Sequence, residues 1–348
     1  MVHKIDLDTP IADIIEYVKD NEAITKAFLK ANLVINQYQH PYCSISGGKD
    51  SDIMLDIIYR VDRNKKMKWV FFDTGLEYEA TKRHLDYLEE KYNITIDRIK
   101  AIKPIPLTCK EYGQPFLSKQ VSKMMRSLQY NNFQWEDGTY EELVEKYPNI
   151  KSAISWWTNH REVGNYGYSI FNINYNRFLK EFILQNPPEF NISNICCDYA
   201  KKKVNKKYSK ENNIDLVITG VRQSEGGVRA ARYKSCFDNK KDIGDVSMYR
   251  PLFWFRDEDE EIYTNLFGLK HSDCYEIYGL KRTGCVGCPY NRWIMDELQV
   301  MEDNEPKLAK AAKYVFKDAY DYTQRYREFV KEQKAIEKEQ KKQAKELT

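Results

Sequence analysis

The sequence predicts an α/β protein: a doubly wound, mostly parallel sheet with a helical insertion and helical termini. Short apolar runs alternate with segments of helical periodicity, a glycine turn joins the first run to a helix, and a stretch of different composition interrupts the alternation. Strands that alternate with helices form parallel sheets covered on both faces. At about 150 residues per domain, the 348 residues predict roughly two domains or one large domain with additions.

Residues 1–38 are predicted to form an amino-terminal helical segment, because Pro10 follows a capping Thr9 and apolar residues then recur at helical spacing. The main α/β domain is predicted over residues 39–300. Its strands are expected at 42–45, 68–72, 94–99 and 215–219, and its helices at 53–61 and 79–92.

Residues 119–185 depart from this rhythm, since they are rich in Asn, Tyr and Trp with mostly helical spacing. We interpret them as a helical insertion. Residues 301–348 are predicted to form a helical tail, whose last part, from residue 331, is charged and solvated.

The composition excludes several classes of protein. The 55 basic and 52 acidic side chains nearly cancel, and 42% hydrophobic with 14% aromatic residues suffice for a buried core, which argues against intrinsic disorder. No run approaches the ~18 apolar residues of a membrane span, and the amino terminus becomes charged too early for a secretory signal. We therefore expect a cytoplasmic globular protein without a membrane partner.

The sharpest local motif is the stretch Ser-Ile-Ser-Gly-Gly-Lys-Asp-Ser at residues 44–51. Glycines let the backbone approach a ligand, and the unpaired N–H groups at a helix start favour an anion. The spacing is not that of a Walker A loop, and the following Lys-Asp-Ser disfavours a simple turn. The candidate nucleotide-binding residues are Ser44, Ser46, Gly47, Gly48, Lys49, Asp50 and Ser51.

This motif resembles the PP-loop of the ATP pyrophosphatase superfamily, whose members cleave ATP between its α and β phosphates. Further segments resemble the phosphoadenosine phosphosulfate (PAPS) reductase family within it, so that the resemblance spans about residues 42–289. These segments are 72–81 (FDTGLEYEAT), 113–119 (GQPFLSK), 218–225 (ITGVRQSE) with Arg229 and Ala230, and 250–252 (RPL). The resemblance implies a PP-loop-type α/β fold that binds ATP with Mg²⁺, and it adds Asp73, Thr74, Gly75 and Gly220 to the candidate nucleotide site.

Four residues are predicted to be catalytic: Lys49, Asp50, Arg222 and Arg229. Asp50 and Asp73 follow predicted strand ends, where ligands gather in open α/β sheets, and either could help hold Mg²⁺. The two arginines suit phosphate or sulfate. The alternatives are helix N-caps for the aspartates and surface salt bridges for the arginines.

The eight cysteines are not expected to form disulfides, because cytosolic thiols stay reduced. Cys285 and Cys288 form a CxxC motif, which can be a redox dithiol or can bind zinc or an iron–sulfur cluster with about two more ligands. Cys196 and Cys197 resemble the paired ligands of the 4Fe-4S sulfonucleotide reductases. We expect such a cluster on these four residues, with zinc or free thiols as alternatives. Cys274 and Cys236 are possible replacement ligands, and Cys43 and Cys109 are expected to be small buried apolar residues.

The sequence departs from the sulfonucleotide reductases in two ways. It lacks their carboxy-terminal ECGxH segment, and its phosphate loop is complete, as ATP cleavage requires. We therefore predict an enzyme that releases pyrophosphate from ATP, adenylates an acceptor and supports sulfur transfer, with a sulfur donor protein as a possible partner. The alternatives are a PAPS or adenosine phosphosulfate reductase, and a regulatory or defence protein that binds nucleotide and cluster without turnover.

The acceptor is predicted less sharply. Basic and aromatic side chains of the insertion could contact a nucleic acid, although a helical core with a mixed surface is the favoured interpretation, since tryptophans usually pack in cores. These side chains are Lys119, Lys123, Arg126, Tyr130, Trp135, Trp156, Trp157, His160 and Arg161.

Overall fold

The computed structural model describes residues 5–160, 171–226, 233–239 and 246–346. The chain divides into two compact units, residues 1–102 with 200–286 and residues 103–199 with 287–348. The predicted boundaries at 38, 119, 185 and 300 differ from this division. The amino-terminal helices share a core with the sheet, and the last helix shares one with the insertion.

The helices follow one another through both units. In chain order they are α1 (Ile11–Val18), α2 (Glu22–Ile35), α3 (Lys49–Val61), α4 (Glu79–Tyr92), α5 (Ile105–Tyr112), α6 (Lys119–Tyr130), α7 (Tyr140–Lys146), α8 (Lys151–Trp157), α9 (Leu179–Gln185), α10 (Ile195–Cys197), α11 (Lys203–Glu211), α12 (Asp257–Leu266), α13 (Asp273–Glu276), α14 (Ile294–Asn304), α15 (Pro306–Val315) and α16 (Lys317–Glu346).

The first unit is built on a mostly parallel sheet. Its strands among the described residues are β1 (Pro41–Ile45), β2 (Lys68–Asp73), β3 (Ile96–Lys100), β4 (Leu216–Ile218), β5 (Phe237–Asp238) and β6 (Ser247–Tyr249). They lie in the order β3-β2-β1-β4-β6-β5, with β5 alone antiparallel to its neighbour. The predicted α/β class and parallel sheet are thus confirmed. Strands β5 and β6 were not predicted, because neither Phe-Asp nor Ser-Met-Tyr is a continuous apolar run, whereas the equally short β4 consists of Leu-Val-Ile.

The central helix α3 is buried on most sides, which explains why so many of its residues are apolar. Ile53, Ile57 and Val61 pack with the amino-terminal helices and one face of the sheet in a single core. A smaller cluster around Tyr42, Val70 and Tyr208 covers the other face of the sheet. The sheet is therefore covered on both sides, as parallel sheets require.

The second unit is helical and has its own aromatic core. Trp156 and Trp157 are fully buried, and the Trp157 indole N–H donates to the Glu136 carbonyl at 2.9 Å. Trp135 packs against the same core. Core packing, the interpretation favoured for the tryptophans, therefore applies to Trp156 and Trp157, whose rings are enclosed by protein.

None of the helices in the described part of the chain combines the length and apolar character that crossing a membrane would need.

Candidate nucleotide site

The strand order places a crevice at the carboxyl ends of β1 and β4. The chain leaves β1 toward β2 on one side, whereas β4 lies on the other, so the two strands form a topological switch point. A cavity of about 1260 Å³ opens there, between the loop after β1 and the loop after β4. All of its lining residues belong to the first unit.

The loop after β1 has the geometry of an anion cradle. Gly47 has a φ of +67°, and a Cβ there would lie 2.7 Å from the Thr81 side chain, so only glycine fits. The backbone N–H of Ser46 donates to the Ser51 hydroxyl at 2.9 Å, and that of Gly48 to the Ser46 hydroxyl at 3.4 Å. Helix α3 begins at Lys49, so its first N–H groups point toward the cavity end of the loop.

Most of the predicted loop residues line this cavity. They are Ser44, Ser46, Gly48, Lys49, Asp50 and Ser51. The Lys49 ammonium lies 5.3 Å from the centre of the Tyr275 ring, which forms part of the cavity wall. The loop therefore brings a cation and several hydroxyls to one point.

Arg222 is engaged by carboxylates. Its guanidinium contacts Asp50 Oδ1 at 2.7 Å, Asp257 Oδ1 at 2.8 Å and Glu260 Oε2 at 3.1 Å. Burial raises the pKa of Asp50 to about 7; Arg222 opposes this rise, and Glu260 adds to it. Three carboxylates thus surround the single guanidinium, and carboxylate oxygens are donors of the kind that Mg²⁺ prefers.

Gly220 allows the loop after β4 to pack closely against the backbone of Asp50. A Cβ at this position would lie 3.0 Å from the Asp50 carbonyl oxygen and 3.1 Å from its carbonyl carbon. Arg229, the other predicted catalytic arginine, lies outside the described residues.

The predicted nucleotide-binding residues Asp73, Thr74 and Gly75 form a turn rather than cavity wall. Asp73 Oδ1 accepts the Gly75 N–H at 2.8 Å, and the Thr74 N–H and hydroxyl donate to Glu77 Oε1 at 3.2 and 2.5 Å. Phe72 and Glu77 are the residues of the 72–81 motif that line the cavity. Burial raises the pKa of Glu77, while Lys201 and Thr74 lower it. Glu77 is not among the predicted site residues, although it lies inside the 72–81 motif.

A buried cluster supports the loop from within the core. Asp52 Oδ2 lies 3.0 Å from His84 Nε2 and 2.8 Å from His271 Nδ1, and all three side chains are buried. Burial alone would raise the Asp52 pKa, but the two imidazoles outweigh it and lower that pKa. His271 also lines the cavity, so the cluster connects α3 and α4 to the cavity wall.

The cysteines are distributed over both units. In the second unit, the Cys196 thiol is hydrogen-bonded to Cys109 and Cys197 and is influenced by Cys288; the bond to Cys109 contributes most to raising its pKa. Cys109 is buried as predicted, but it contacts a predicted ligand, and its isolated position in the sequence gave no sign of this. Cys236, Cys274 and Cys285 belong to the first unit, and the unit boundary falls between Cys285 and Cys288.

Among the described residues, no three His, Cys, Asp or Glu side chains converge as a ready metal-binding group. The chemistry of the donor set nevertheless suits an iron–sulfur cluster, because the Cys196 thiol is influenced by three other thiols of the second unit, those of Cys109, Cys197 and Cys288. The turn before Cys288 is fixed by packing. Gly287 has a φ of +63°, and Tyr320 donates a hydrogen bond to its carbonyl oxygen.

The predicted nucleic-acid residues separate into two groups. Lys119, Lys123 and Tyr130 are exposed on α6, and the Arg126 guanidinium lies 5.9 Å from the Tyr130 ring centre. His160 instead stacks on Tyr140, with ring centres 3.8 Å apart. Arg161 lies outside the described residues.

The sheet, the switch-point cavity and the glycine loop together define a PP-loop α/β protein. Within that class the chain belongs to the PAPS reductase family, because the family model for the phosphoadenosine phosphosulfate reductase domain matches residues 40–291. No curated protein matches the sequence significantly.

Three solved structures resemble the chain at low sequence identity. PAPS reductase from Candida auris, in a phosphate complex, has 12% identity and a TM-score of 0.43, over 81% of this chain and 97% of that chain. FMN adenylyltransferase from Candida glabrata has 10% identity and a TM-score of 0.41, over 81% and 65%. The U34-tRNA thiolase of Methanococcus maripaludis with its 4Fe-4S cluster has 13% identity and a TM-score of 0.33, over 86% and 80%.

Proposed function

We propose that this PAPS reductase-family protein is an enzyme that cleaves ATP to pyrophosphate, adenylates an acceptor and supports transfer of sulfur to it. One observation carries the proposal: the complete phosphate loop lines a cavity of about 1260 Å³. The hydroxyls of Ser46 and Ser51 and the ammonium of Lys49 suit β and γ phosphates, which a ligand shorter than ATP would lack. The cavity also leaves room beside a nucleotide for a second substrate.

In the proposed reaction an oxygen of the acceptor attacks the α phosphorus of ATP. The bond from that phosphorus to the oxygen bridging the α and β phosphates breaks, and pyrophosphate takes the electron pair. Lys49 and the first N–H groups of α3 stabilise the charge that develops on the leaving group. Glu77, a buried carboxylate in the cavity wall, is placed to take the proton of the attacking group. Mg²⁺ held in part by Asp50 would neutralise phosphate charge.

The sulfur step belongs to the cysteines. Cys196, Cys197 and Cys288 would hold a 4Fe-4S cluster, with Cys285 as the fourth ligand that the motif resemblance implies. When bound, such a cluster supplies an iron that can hold sulfide for transfer. A sulfur donor protein would deliver that sulfide, and zinc at these thiols is the alternative.

The proposed acceptor is a nucleic acid. Its support is the exposed face of α6, where Lys119, Lys123, Arg126 and Tyr130 recur at helical spacing. Cations at this spacing can follow a phosphate backbone, and an exposed tyrosine can stack on a base.

The test is pyrophosphate release from labelled ATP by the full chain, with tRNA, DNA or small molecules as acceptors. Lys49→Ala should reduce release to background and keep the unfolding midpoint of the wild type, because the ammonium faces the cavity. Lys30→Ala is the matched control, since it removes an exposed lysine of the first unit that lies outside the cavity and outside the α6 face. A wild-type chain that releases no pyrophosphate with any acceptor would favour a regulatory protein that binds nucleotide without turnover.

A second candidate is supported by the family itself. The matching family model describes PAPS reductase domains, so the cavity could take a sulfonucleotide, which would be reduced to sulfite. Incubation with PAPS or adenosine phosphosulfate, thioredoxin and a reductant distinguishes the two. Sulfite that disappears in Cys236→Ser or Cys274→Ser would establish a reductase and overturn the ATP-cleaving function.

A further inference from the structure

Tyr275, which comes from a segment more than 200 residues after the phosphate loop, closes that loop on one side. A Cβ on Gly48 would lie 3.2 Å from the Tyr275 hydroxyl, 3.3 Å from the Thr283 hydroxyl and 3.4 Å from the Ser46 hydroxyl. Three hydroxyl groups therefore converge on the backbone of Gly48. All of these residues line the cavity.

The hydrogen bonds of the Tyr275 hydroxyl show whether its proton is available to donate. It accepts the Thr283 backbone N–H at 3.0 Å and is hydrogen-bonded to the Lys49 backbone, where N–H is the donor. A phenol oxygen has two acceptor positions and one proton. Both acceptor positions are thus used, so the hydroxyl is a donor toward its remaining neighbour, Thr283 Oγ1 at 2.9 Å.

The ring of Tyr275 has a second contact with the loop, since the Lys49 ammonium lies 5.3 Å from its centre. This distance is within the range of a cation–π interaction. The ring in turn lies edge-on to His271, with centres 6.4 Å apart, and His271 is fixed on the buried Asp52 carboxylate. Tyr275 is therefore held rigidly from behind.

We propose that Tyr275 is a further phosphate-binding residue, whose hydroxyl donates its proton to the β,γ-phosphates of the nucleotide and whose ring holds the Lys49 ammonium beside them. This deepens the proposed function, on which it rests. On nucleotide binding, a phosphate oxygen would replace Thr283 Oγ1 as the acceptor of this proton.

The protein contains a matched control. Tyr87 stacks on His84, the other histidine bound to Asp52, and the Lys270 ammonium lies 5.6 Å from its ring centre. Tyr87 thus repeats the tyrosine–histidine–lysine arrangement but is not among the described residues that line the cavity.

The experiment measures the affinity of the full chain for pyrophosphate, ATP and AMP in Tyr275→Phe and Tyr87→Phe. Tyr275→Phe should weaken binding of pyrophosphate and ATP about tenfold, the effect of losing a hydrogen bond to a charged group. AMP affinity should not change, because AMP has no β,γ-phosphates, and Tyr87→Phe should bind all three ligands like the wild type.

Three outcomes would overturn the inference: equal pyrophosphate affinity in Tyr275→Phe and wild type, equal weakening for AMP, or a Tyr275→Phe chain that does not fold. The last two would make Tyr275 a structural residue. If pyrophosphate binding depends on Tyr275 as predicted but the wild-type chain releases no pyrophosphate from ATP, phosphate binding by Tyr275 is supported. Only the proposed ATP cleavage would then be overturned. Wild-type chain that binds neither ATP nor pyrophosphate would overturn both.

Discussion

At the scale of single residues, Asp50 shows a conflict between function and stability. Its carboxyl would have a pKa near 3.8 without the fold, and burial raises this pKa to about 7. A raised carboxyl pKa means that the folded chain holds the proton more tightly than the unfolded chain, so stability is lost as the pH rises through 7. Active-site groups commonly have such a cost.

Asp50→Asn should therefore be more stable than the wild type at pH 8, because Arg222 keeps Asp257 and Glu260 as partners. The difference should shrink by pH 5.5, where Asp50 is mostly protonated. Urea unfolding midpoints at the two pH values measure this. Asp62→Asn is the control. The Asp62 carboxylate accepts the Met67 N–H at 2.8 Å, so this variant should be less stable than the wild type at both pH values. An Asp50→Asn chain less stable than wild type at pH 8 would contradict the argument.

At the scale of elements, α16 has two halves with different roles. Tyr322 is buried between Phe116 and Phe182, with ring centres 4.9 and 5.0 Å apart, and its hydroxyl donates to the Asn186 carbonyl at 2.7 Å. From residue 331 onward the described side chains are mostly exposed. The solvated tail predicted from composition is confirmed for this half, whereas the core role of the first half depends on distant partners.

We expect Tyr322→Ala to lower the free energy of unfolding by about 3 kcal/mol, since it removes a large aromatic side chain from a core. Deletion of residues 331–348 should change it by less than about 0.5 kcal/mol, the usual range for exposed positions. Chemical unfolding of the full chain and both variants compares them. A deletion as costly as Tyr322→Ala would show that the tail packs on the protein.

At the scale of the whole molecule, the sequence predicts the features that depend on residues close together in the chain. Strand β1, helix α4 and the phosphate loop were predicted closely, because each carries its own periodicity or turn residues. Glu77, Tyr275 and Cys109 acquire their positions through contacts that a single segment does not encode. The division into two units likewise follows from which helices share a core, and sequence neighbours such as Cys285 and Cys288 fall on opposite sides of it.

Three distant chain segments bring thiols into the second unit: α5, α10 and the turn at Gly287. Cys288→Ser and Cys196→Ser should each reduce bound iron about tenfold, because one lost thiolate weakens a four-ligand site severely. Cys43→Ser should keep wild-type iron, since Cys43 is enclosed in β1 of the first unit. Metal analysis and visible absorbance after anaerobic purification give the result. Equal iron in all three variants, or zinc in place of iron, would defeat the cluster assignment.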